Sequence, residues 1–412
     1  MHSNCNTLKA LYISYDGIYE PVGQSQIIPY MASLVKKNID IFIISFEKVI
    51  RGGEKMHSFL QNESFLAAGI HWAPLRYHKS PAIPATLFDI CCGILNGQKL
   101  IKKNRIKLIH ARGYVAGLIA YALKAINNIK FIFDMRGFWP EEKVDAKAWP
   151  QGGFLYRFMK YIEKKLVLAA DEVVVLTEAA NVIIMHKYNV KNIAVIPCCV
   201  DLETFSKSKS IPANTLLPQN RLMVIYLGST GTFYNFEETA KFFQVFKEKM
   251  PEAFFLVLSN GNNENIVKIL KSLTMDTRDF FVVSIPHKQI PLYLHTALFS
   301  MIFYQRILSA PGCCPIKFAE SLACGVPILI SPGIGDCDRI VQEEAVGVVL
   351  KGYSPNHYRL AAEQVYDLLL KRDETALRCY ATAKKYFSLE AGVDKYSKLY
   401  HKLIGLYDAE TN

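Results

Sequence analysis

The sequence predicts an α/β protein made of two open, parallel-sheet domains. Three observations carry this. Short apolar runs alternate with longer helical patterns from end to end, the order expected of stacked β-α units. At 412 residues the chain exceeds what one ordinary hydrophobic core serves. The alternation also breaks once, between Phe205 and Arg221, where Lys-Ser-Lys-Ser-Ile-Pro-Ala-Asn and then Leu-Pro-Gln-Asn collect turn formers without periodicity. The predicted boundaries are a first domain over 1–204, a linker over 205–220 and a second domain over 221–385.

In the first domain the strand candidates are Ala10–Ser14, Ile39–Ser45, Lys107–His110, Lys130–Asp134, Glu172–Leu176 and Ile193–Pro197. Each is a short run dense in Ile, Val, Phe and Leu, as strands buried on both faces require. Helical periodicity falls between them, at Gln26–Lys37, Tyr114–Ile126, Gly153–Ala170 and Glu178–Tyr188. The second series runs Leu222–Leu227, Ala253–Leu258, Phe280–Ser284, Phe299–Phe303, Val326–Ile330 and Val346–Leu350. Its helices fit at Phe236–Lys249, Glu264–Leu273, Ile290–Thr296, Pro315–Cys324 and Cys337–Glu344, and the tail from Ala361 to Leu406 reads as helical and charged. In open sheets of this kind ligands bind beyond the carboxyl ends of the strands, so the chemistry is expected in a cleft between the two domains.

Composition excludes several classes. With 51% hydrophobic and 21% charged residues the chain is neither disordered nor fibrous. The first apolar run leads straight into Asp16 and reads as a strand rather than a leader peptide. The longest later one, Tyr114–Leu123, is too short to span a bilayer. Ten cysteines include the adjacent pairs Cys91–Cys92, Cys198–Cys199 and Cys313–Cys314, with no Cys-x-x-Cys and no metal-ligand spacing. Free thiols in a reducing cytoplasm are expected.

The net charge of +11 sits mainly in the first half, where residues up to Phe205 hold 25 Lys and Arg against 17 Asp and Glu. One basic cluster is Lys99, Lys102, Lys103, Arg105 and Lys107; another is Arg157, Lys160, Lys164 and Lys165. Such a face suits peripheral attachment to an anionic membrane, each charge contributing about 1 kcal/mol near the surface. A plain solvated helix surface is the alternative. Nucleic acid is not expected, because no RNA- or DNA-binding motif appears.

The most informative stretch is Ser309-Ala-Pro-Gly-Cys-Cys-Pro-Ile-Lys-Phe-Ala-Glu-Ser-Leu-Ala-Cys-Gly-Val-Pro-Ile-Leu329. A loop of small residues leads into a short helix that ends at Gly325. The free N–H groups and positive dipole end of its first turn suit a diphosphate. Lys317 adds a mobile positive charge there, and Glu320, one turn on, offers a carboxylate for both hydrogens of a ribose diol.

Glu320 with Ser321-Leu-Ala-Cys-Gly-Val-Pro-Ile328 resembles the donor motif of the retaining glycosyltransferases of family 4. The family's first glutamate is missing, since Gly312 stands eight residues before Glu320. The resemblance extends over nearly the whole chain. Asp171-Glu-Val-Val-Val-Leu-Thr177 and Val195-Ile-Pro-Cys-Cys-Val-Asp201 look like the end of the family's acceptor domain, with Cys198-Cys199 where Asn-Gly is usual. Tyr226-Leu-Gly-Ser-Thr-Gly-Thr-Phe-Tyr-Asn235 is similar to the glycine-rich loop that opens its donor domain, without the usual basic residue.

The resemblance implies the GT-B fold: two Rossmann-like domains facing across a cleft, with a terminal helix, 386–412, returning to the first. It implies donor contacts at Gly17, Gly23, Gly228, Ser229, Gly231, Thr232, Arg306, Cys314, Lys317 and Glu320. Gly17 and Gly23 lie in Tyr15-Asp-Gly-Ile-Tyr-Glu-Pro-Val-Gly-Gln-Ser-Gln26, where they would let backbone approach the substrate. His110-Ala-Arg112 and Asp134-Met-Arg-Gly-Phe-Trp-Pro-Glu-Glu142 each follow a strand. His110, Asp134 and Arg136 are therefore assigned to catalysis with Lys317, and Arg112, Trp139 and Glu141 to the acceptor. A structural Asp134–Arg136 pair, an edge-covering Trp139 and a satisfied strand-end His110 are the alternatives.

Transfer is then expected on the front face of the sugar, the leaving diphosphate taking the acceptor proton while Lys317, Arg306 and helix amides stabilise its charge. No Asp-x-Asp is placed after a strand, so no metal is expected, nor any cofactor beyond a UDP- or GDP-sugar as co-substrate. The acceptor is expected to be a glycan or a lipid-linked molecule of surface polysaccharide or glycolipid synthesis. A sugar-nucleotide epimerase and a non-catalytic binding subunit are the rival readings.

Overall fold

The computed structural model describes residues 7–48, 69–206, 221–231, 233–259 and 263–405. The chain divides into two compact units: Met1–Pro140, Pro150–Ile196 and Leu389–Asn412 form the first, Glu141–Trp149 and Pro197–Ser388 the second. Thr232 and most of the linker sequence, 207–220, lie outside the described residues.

The first unit is a seven-stranded sheet of β1 (Leu8–Ser14), β2 (Ile39–Glu47), β3 (Ile70–Arg76), β4 (Leu108–Arg112), β5 (Lys130–Asp134), β6 (Glu172–Val175) and β7 (Ile193–Val195). Its order is β3-β2-β1-β4-β5-β6-β7, and every pairing is parallel. Helices α1 (Ile28–Val35), α2 (Ala82–Asn104), α3 (Gly113–Ile126), α4 (Trp139–Asp145), α5 (Phe154–Ala169) and α6 (Glu178–Tyr188) fill the connections. The core lies between sheet and helices, where Phe131, Phe133, Ile119, Leu123 and Leu166 are fully buried. Gly93 and Gly97 let α2 lie close on α3, since a Cβ at either would meet Ile119 or Leu123. The buried Glu163 carboxylate is paid in full by Tyr114 (2.7 Å), Tyr188 (2.5 Å) and Lys160 (2.5 Å).

The second unit repeats the plan with six parallel strands, β8 (Leu222–Leu227), β9 (Ala253–Leu258), β10 (Phe280–Val283), β11 (Ala297–Ile302), β12 (Ile328–Ile330) and β13 (Gly347–Val349), in the order β10-β9-β8-β11-β12-β13. Its helices are α7 (Leu202–Ser206), α8 (Phe236–Lys249), α9 (Asn263–Ser272), α10 (Ile290–Leu294), α11 (Ile316–Ala323), α12 (Cys337–Glu343), α13 (Pro355–Leu370) and α14 (Arg372–Phe387). Aromatic pairs of α8 on the sheet, Phe243 stacked on Phe255 and Phe246 edge-on to Phe299, dominate one side of its core. The last helix, α15 (Leu389–Ile404), belongs to the first unit and packs on α1, with Tyr30 edge-on to Tyr396.

Strand order reverses between β1 and β4 in the first unit and between β8 and β11 in the second. These are the switch points at which α/β sheets leave a crevice at their carboxyl edge.

Two expectations need correction. No element was named between Ser45 and Lys107, yet β3 and α2 stand there; Pro74 inside an edge strand, and Gly93 and Gly97 inside a helix, mask both periodicities. His110-Ala-Arg112 does not follow β4 but forms its end, because pairing with β1 and β5 continues through Arg112. The helical tail divides into three helices, α13, α14 and α15.

Gly347 marks the tightest backbone approach in the second sheet: a Cβ there would lie 2.0 Å from the Ile328 carbonyl oxygen. Gly347→Ala is expected to lower stability by about 3 kcal/mol through overpacking, read as a reduced urea midpoint against wild type.

Candidate active site

In the second unit the polar residues of interest gather where β8, β11 and α11 meet. Pro315 precedes the first turn of α11, and no side chain caps that turn, so its leading N–H groups are left for a ligand. Lys317, on the same turn, is buried, and its Nζ has no hydrogen-bond partner among the described residues. It lies over the ring of Tyr234, 3.6 Å from the centroid, with Tyr226 on another side at 5.5 Å. Gly228 makes room for it: φ is +121°, and a Cβ would come within 2.6 Å of Lys317 Nζ.

Burial lowers the Lys317 pKa against the countering pull of Tyr234 and Glu320. Burial would raise the Tyr234 phenol, but the Lys317 charge and the hydrogen bond from Tyr304 together lower that pKa. Tyr304 donates a hydrogen bond to the Tyr234 oxygen (3.3 Å), and Tyr226 donates to the Ser229 carbonyl (2.6 Å). An unpaired ammonium beside uncapped helix amides is a receptor for an anion.

Glu320 is one turn along α11 and buried, and its Oε1 is 2.6 Å from His287 Nε2. His287 stands just beyond β10 and is more open to solvent. The bond to Glu320 raises the His287 pKa, and burial opposes it only in part. His287 was missed in the sequence, as was the caging role of Tyr234 and Tyr304. The signal for His287 was its place after a strand of the second series.

The remaining donor candidates are spread more widely. Cys314 precedes the helix, and its sulfur accepts the Cys198 N–H at 3.4 Å, which ties the Cys198-Cys199 substitution to the donor loop. Hydrogen bonding to Cys198 and burial push the Cys314 thiol well up, so it stays neutral. Gly231 is open, and Arg306 is exposed, with no hydrogen bond or ion pair among the described residues. The Asp145 carboxylate, grouped with this unit, accepts the N–H of Leu308 (2.8 Å) and Ser309 (2.9 Å) and so fixes the loop before α11.

In the first unit, the carboxyl ends of β4 and β5 carry a buried polar cluster. His110 Nε2 lies 3.3 Å from Asp134 Oδ2, and its Nδ1 lies 2.6 Å from Tyr400 Oη. Because Asp134 can only accept, Nε2 carries the proton and Nδ1 accepts from Tyr400. Burial lowers the His110 pKa, in keeping with a neutral ring. Tyr396 donates to the same Asp134 oxygen at 3.2 Å. Burial would raise the Asp134 carboxyl, but Arg136, His110 and Arg112 together hold it below the usual range. Arg136 is 3.8 Å from Asp134 on a residue with φ of +60°, and Arg112 Nε is 3.7 Å from Asp16. Both nitrogens of His110 are thus engaged inside the protein, which makes it the tie between the sheet and α15.

Gly17 and Gly23 are explained by the protein itself. A Cβ at Gly17 would meet Glu47, and one at Gly23 would lie 2.4 Å from the carbonyl oxygens of Gly17 and Ile18. Glu47 accepts the Ile18 N–H at 2.8 Å and anchors this loop. Trp139 packs beside Tyr114, 5.6 Å between centroids, at the edge of the first core. Glu141 is half-buried on α4 and groups with the second unit. Among the described residues, no group of three or more His, Cys, Asp or Glu is arranged to hold a metal ion.

Two doubly wound parallel sheets, each with its polar residues at the switch-point edge, define a GT-B transferase fold. Residues 61–204 match the family model for Glycosyltransferase Family 4, and residues 207–386 that for Glycosyl transferases group 1. The chain is accordingly a glycosyltransferase of the family 4, group 1 kind.

Solved structures share the fold. Sucrose-phosphate synthase from Thermosynechococcus elongatus superposes with a TM-score of 0.73 at 15% identity, covering 97% of this chain and 99% of that one. HepE from Anabaena, crystallised with UDP and glucose, gives 0.68 at 11% identity, covering 95% and 99%. WaaG, a glycosyltransferase involved in lipopolysaccharide biosynthesis, gives 0.64 at 11%, covering 95% and 99%. No curated protein matches the sequence.

Two outcomes follow from the geometry. Tyr400→Phe strands the buried His110 Nδ1 without its donor and is expected to cost about 1–3 kcal/mol, measured by chemical unfolding. His287→Ala removes a hydrogen bond that is charge-assisted while His287 is protonated. Because its folded pKa is raised, that stabilisation is full below the unfolded value of about 6.5 and is lost as pH rises through the raised value. The melting-temperature gap between wild type and His287→Ala should therefore be widest near pH 5.5 and close towards pH 9.

Proposed function

We propose that this transferase moves a sugar from a nucleoside diphosphate sugar, UDP- or GDP-linked, to a glycan or lipid-linked acceptor, with retention at the anomeric carbon. The observation that carries the reading is the unpaired, buried Lys317 ammonium at the uncapped start of α11, one turn from the Glu320 carboxylate. A nucleoside diphosphate presents two matching groups: phosphates for the cation and helix amides, and a ribose diol for the carboxylate. The capture of UDP by HepE on a similar fold supports the same class of donor here.

In this mechanism Lys317 and the first-turn N–H groups take up the charge that grows on the leaving diphosphate. They are already desolvated, so little reorganisation is needed as the bond breaks. A diphosphate oxygen accepts the proton of the attacking hydroxyl as the new bond forms on the same face. Glu320 binds ribose and moves no proton. The sugar and acceptor are assigned to the carboxyl edge of the first unit, at Arg112, Arg136 and Trp139, with Asp134 kept ionised by its neighbours. Transfer rests on these residues without a metal or further cofactor.

The test is a thermal-shift panel of UDP, GDP, ADP and their sugars on wild type and Glu320→Ala. At a hundred times its dissociation constant a ligand stabilises the native state by about 2.7 kcal/mol. One nucleoside diphosphate should shift the wild type clearly and the variant little, with Glu320→Gln intermediate. Equal shifts in both proteins would remove Glu320 from the site, and no shift with any nucleotide would overturn the donor assignment. Nucleotide release that requires acceptor separates transfer from epimerisation, which needs the donor alone.

A further inference from the structure

The outer face of the first unit carries large apolar side chains that no element among the described residues covers. On α5, Phe154, Phe158, Tyr161 and Leu168 recur at helical spacing and are exposed, Phe154 by 81%. They form a stripe on the side of the helix opposite the buried Leu166 and Val167, so α5 is apolar on two faces. On α2, Ile83, Leu87, Phe88 and Leu95 are likewise exposed, Leu95 by 64%. Helix α3 packs against both and adds the half-open Tyr121. Scattered exposed leucines mean little, but aromatic and aliphatic side chains aligned along a helix face mark a docking surface.

Charge identifies the occupant. The only acidic residues of α2, α3 and α5 are Asp89 and Glu163, and both are fully buried. Lys99, Lys102 and Lys103 end α2, while Arg157, Lys164 and Lys165 flank the α5 stripe, all exposed. Asp171, just past α5, is neutralised by Lys124 and Lys130. A second copy of the chain would set these cations against one another, whereas lipid phosphates neutralise them. Lys165 lies over the Tyr161 ring at 5.4 Å, an arrangement that lets its stem rest on apolar surface while the ammonium reaches headgroups.

Direction matters as well. Short connections tie the ends of α2 and α5 to the starts of β4 and β6, so both helices run back from the carboxyl edge of the sheet. Their apolar residues mostly occupy the first half and their lysines the second. The apolar half is therefore the half nearer the edge where Arg112 and Asp134 stand.

We propose that the outer face of α2 and α5 seats on an anionic lipid bilayer, its aromatic side chains entering the headgroup layer and its cations meeting phosphates. The inference deepens the reading of a lipid-linked acceptor and rests on it only for its purpose, because vesicle binding is measured without transfer. No helix among the described residues is long and apolar enough to cross a membrane.

The experiment is sedimentation of the full chain with vesicles of phosphatidylcholine alone or of phosphatidylcholine mixed with anionic phosphatidylglycerol, whose surface potential attracts such charges. Wild type should bind the anionic vesicles at least tenfold more tightly. Phe154→Gln with Phe158→Gln should lose tenfold or more on them, while its nucleotide thermal shift stays that of wild type. Lys164→Glu with Lys165→Glu should lose the preference for anionic lipid. Wild type that stays in solution, or an aromatic variant that binds as wild type does, overturns the proposal. So does a lipid-independent dimer in sedimentation velocity that the aromatic variant dissolves, which would assign the face to a second copy.

Discussion

A buried ammonium without an acceptor is the least comfortable group a folded protein can hold, and the second unit is arranged around one. Taking a cation out of water costs several kcal/mol. At Lys317 that cost is met only in part, by the faces of Tyr234 and Tyr226 and by Glu320 one turn away. Gly228 must lack a side chain for the ammonium to fit, and the first turn of α11 must stay uncapped for an anion to reach both. Each feature makes sense if a negative charge completes the site. A structural lysine in the same position would be expected to have found a carboxylate.

The first unit shows the opposite condition. His110, Asp134, Tyr396 and Tyr400 satisfy one another at the ends of β4 and β5, and α15 supplies both tyrosines. A network this complete has little capacity left for a substrate, apart from one Asp134 oxygen that has no partner among the described residues. Its work is to hold the terminal helix on the sheet and to keep the carboxylate charged. Polar residues at the carboxyl edge of a parallel sheet therefore divide into those that are satisfied and position others, and those that remain open to a ligand.

The fold was legible because parallel strands must bury both faces, which turns each into an uninterrupted apolar run. Leu222–Leu227 and Ala253–Leu258 show this in the sequence and in the structure alike. What concealed β3 and α2 was local chemistry that serves packing: Pro74 is tolerable only because β3 is an edge, and Gly93 and Gly97 because α3 lies so close. The α11 residues were legible as a linear motif, since Lys317 and Glu320 share one helix face. His287 was not, because it meets Glu320 from 33 residues away through the folding of a loop after β10. Tyr396 and Tyr400 were equally hidden in a tail whose pattern announces a helix but not its partner.

The same physics separates inner from outer helix faces. Core packing fixes Leu166, Val167 and Glu163 on α5 and leaves the far side of the helix to solvent. Nothing about folding asks for Phe154, Phe158 and Tyr161 there; exposed aromatics lower solubility and add nothing to the core. Lysines alone would be neutral to this question, since any solvated helix carries them. It is the pairing of exposed aromatics with cations, in the absence of any exposed acid on the same helices, that sets this face apart from an ordinary surface. A glycosyl acceptor dissolved in water gives a protein no reason to hold such a face, whereas an acceptor fixed in a bilayer does.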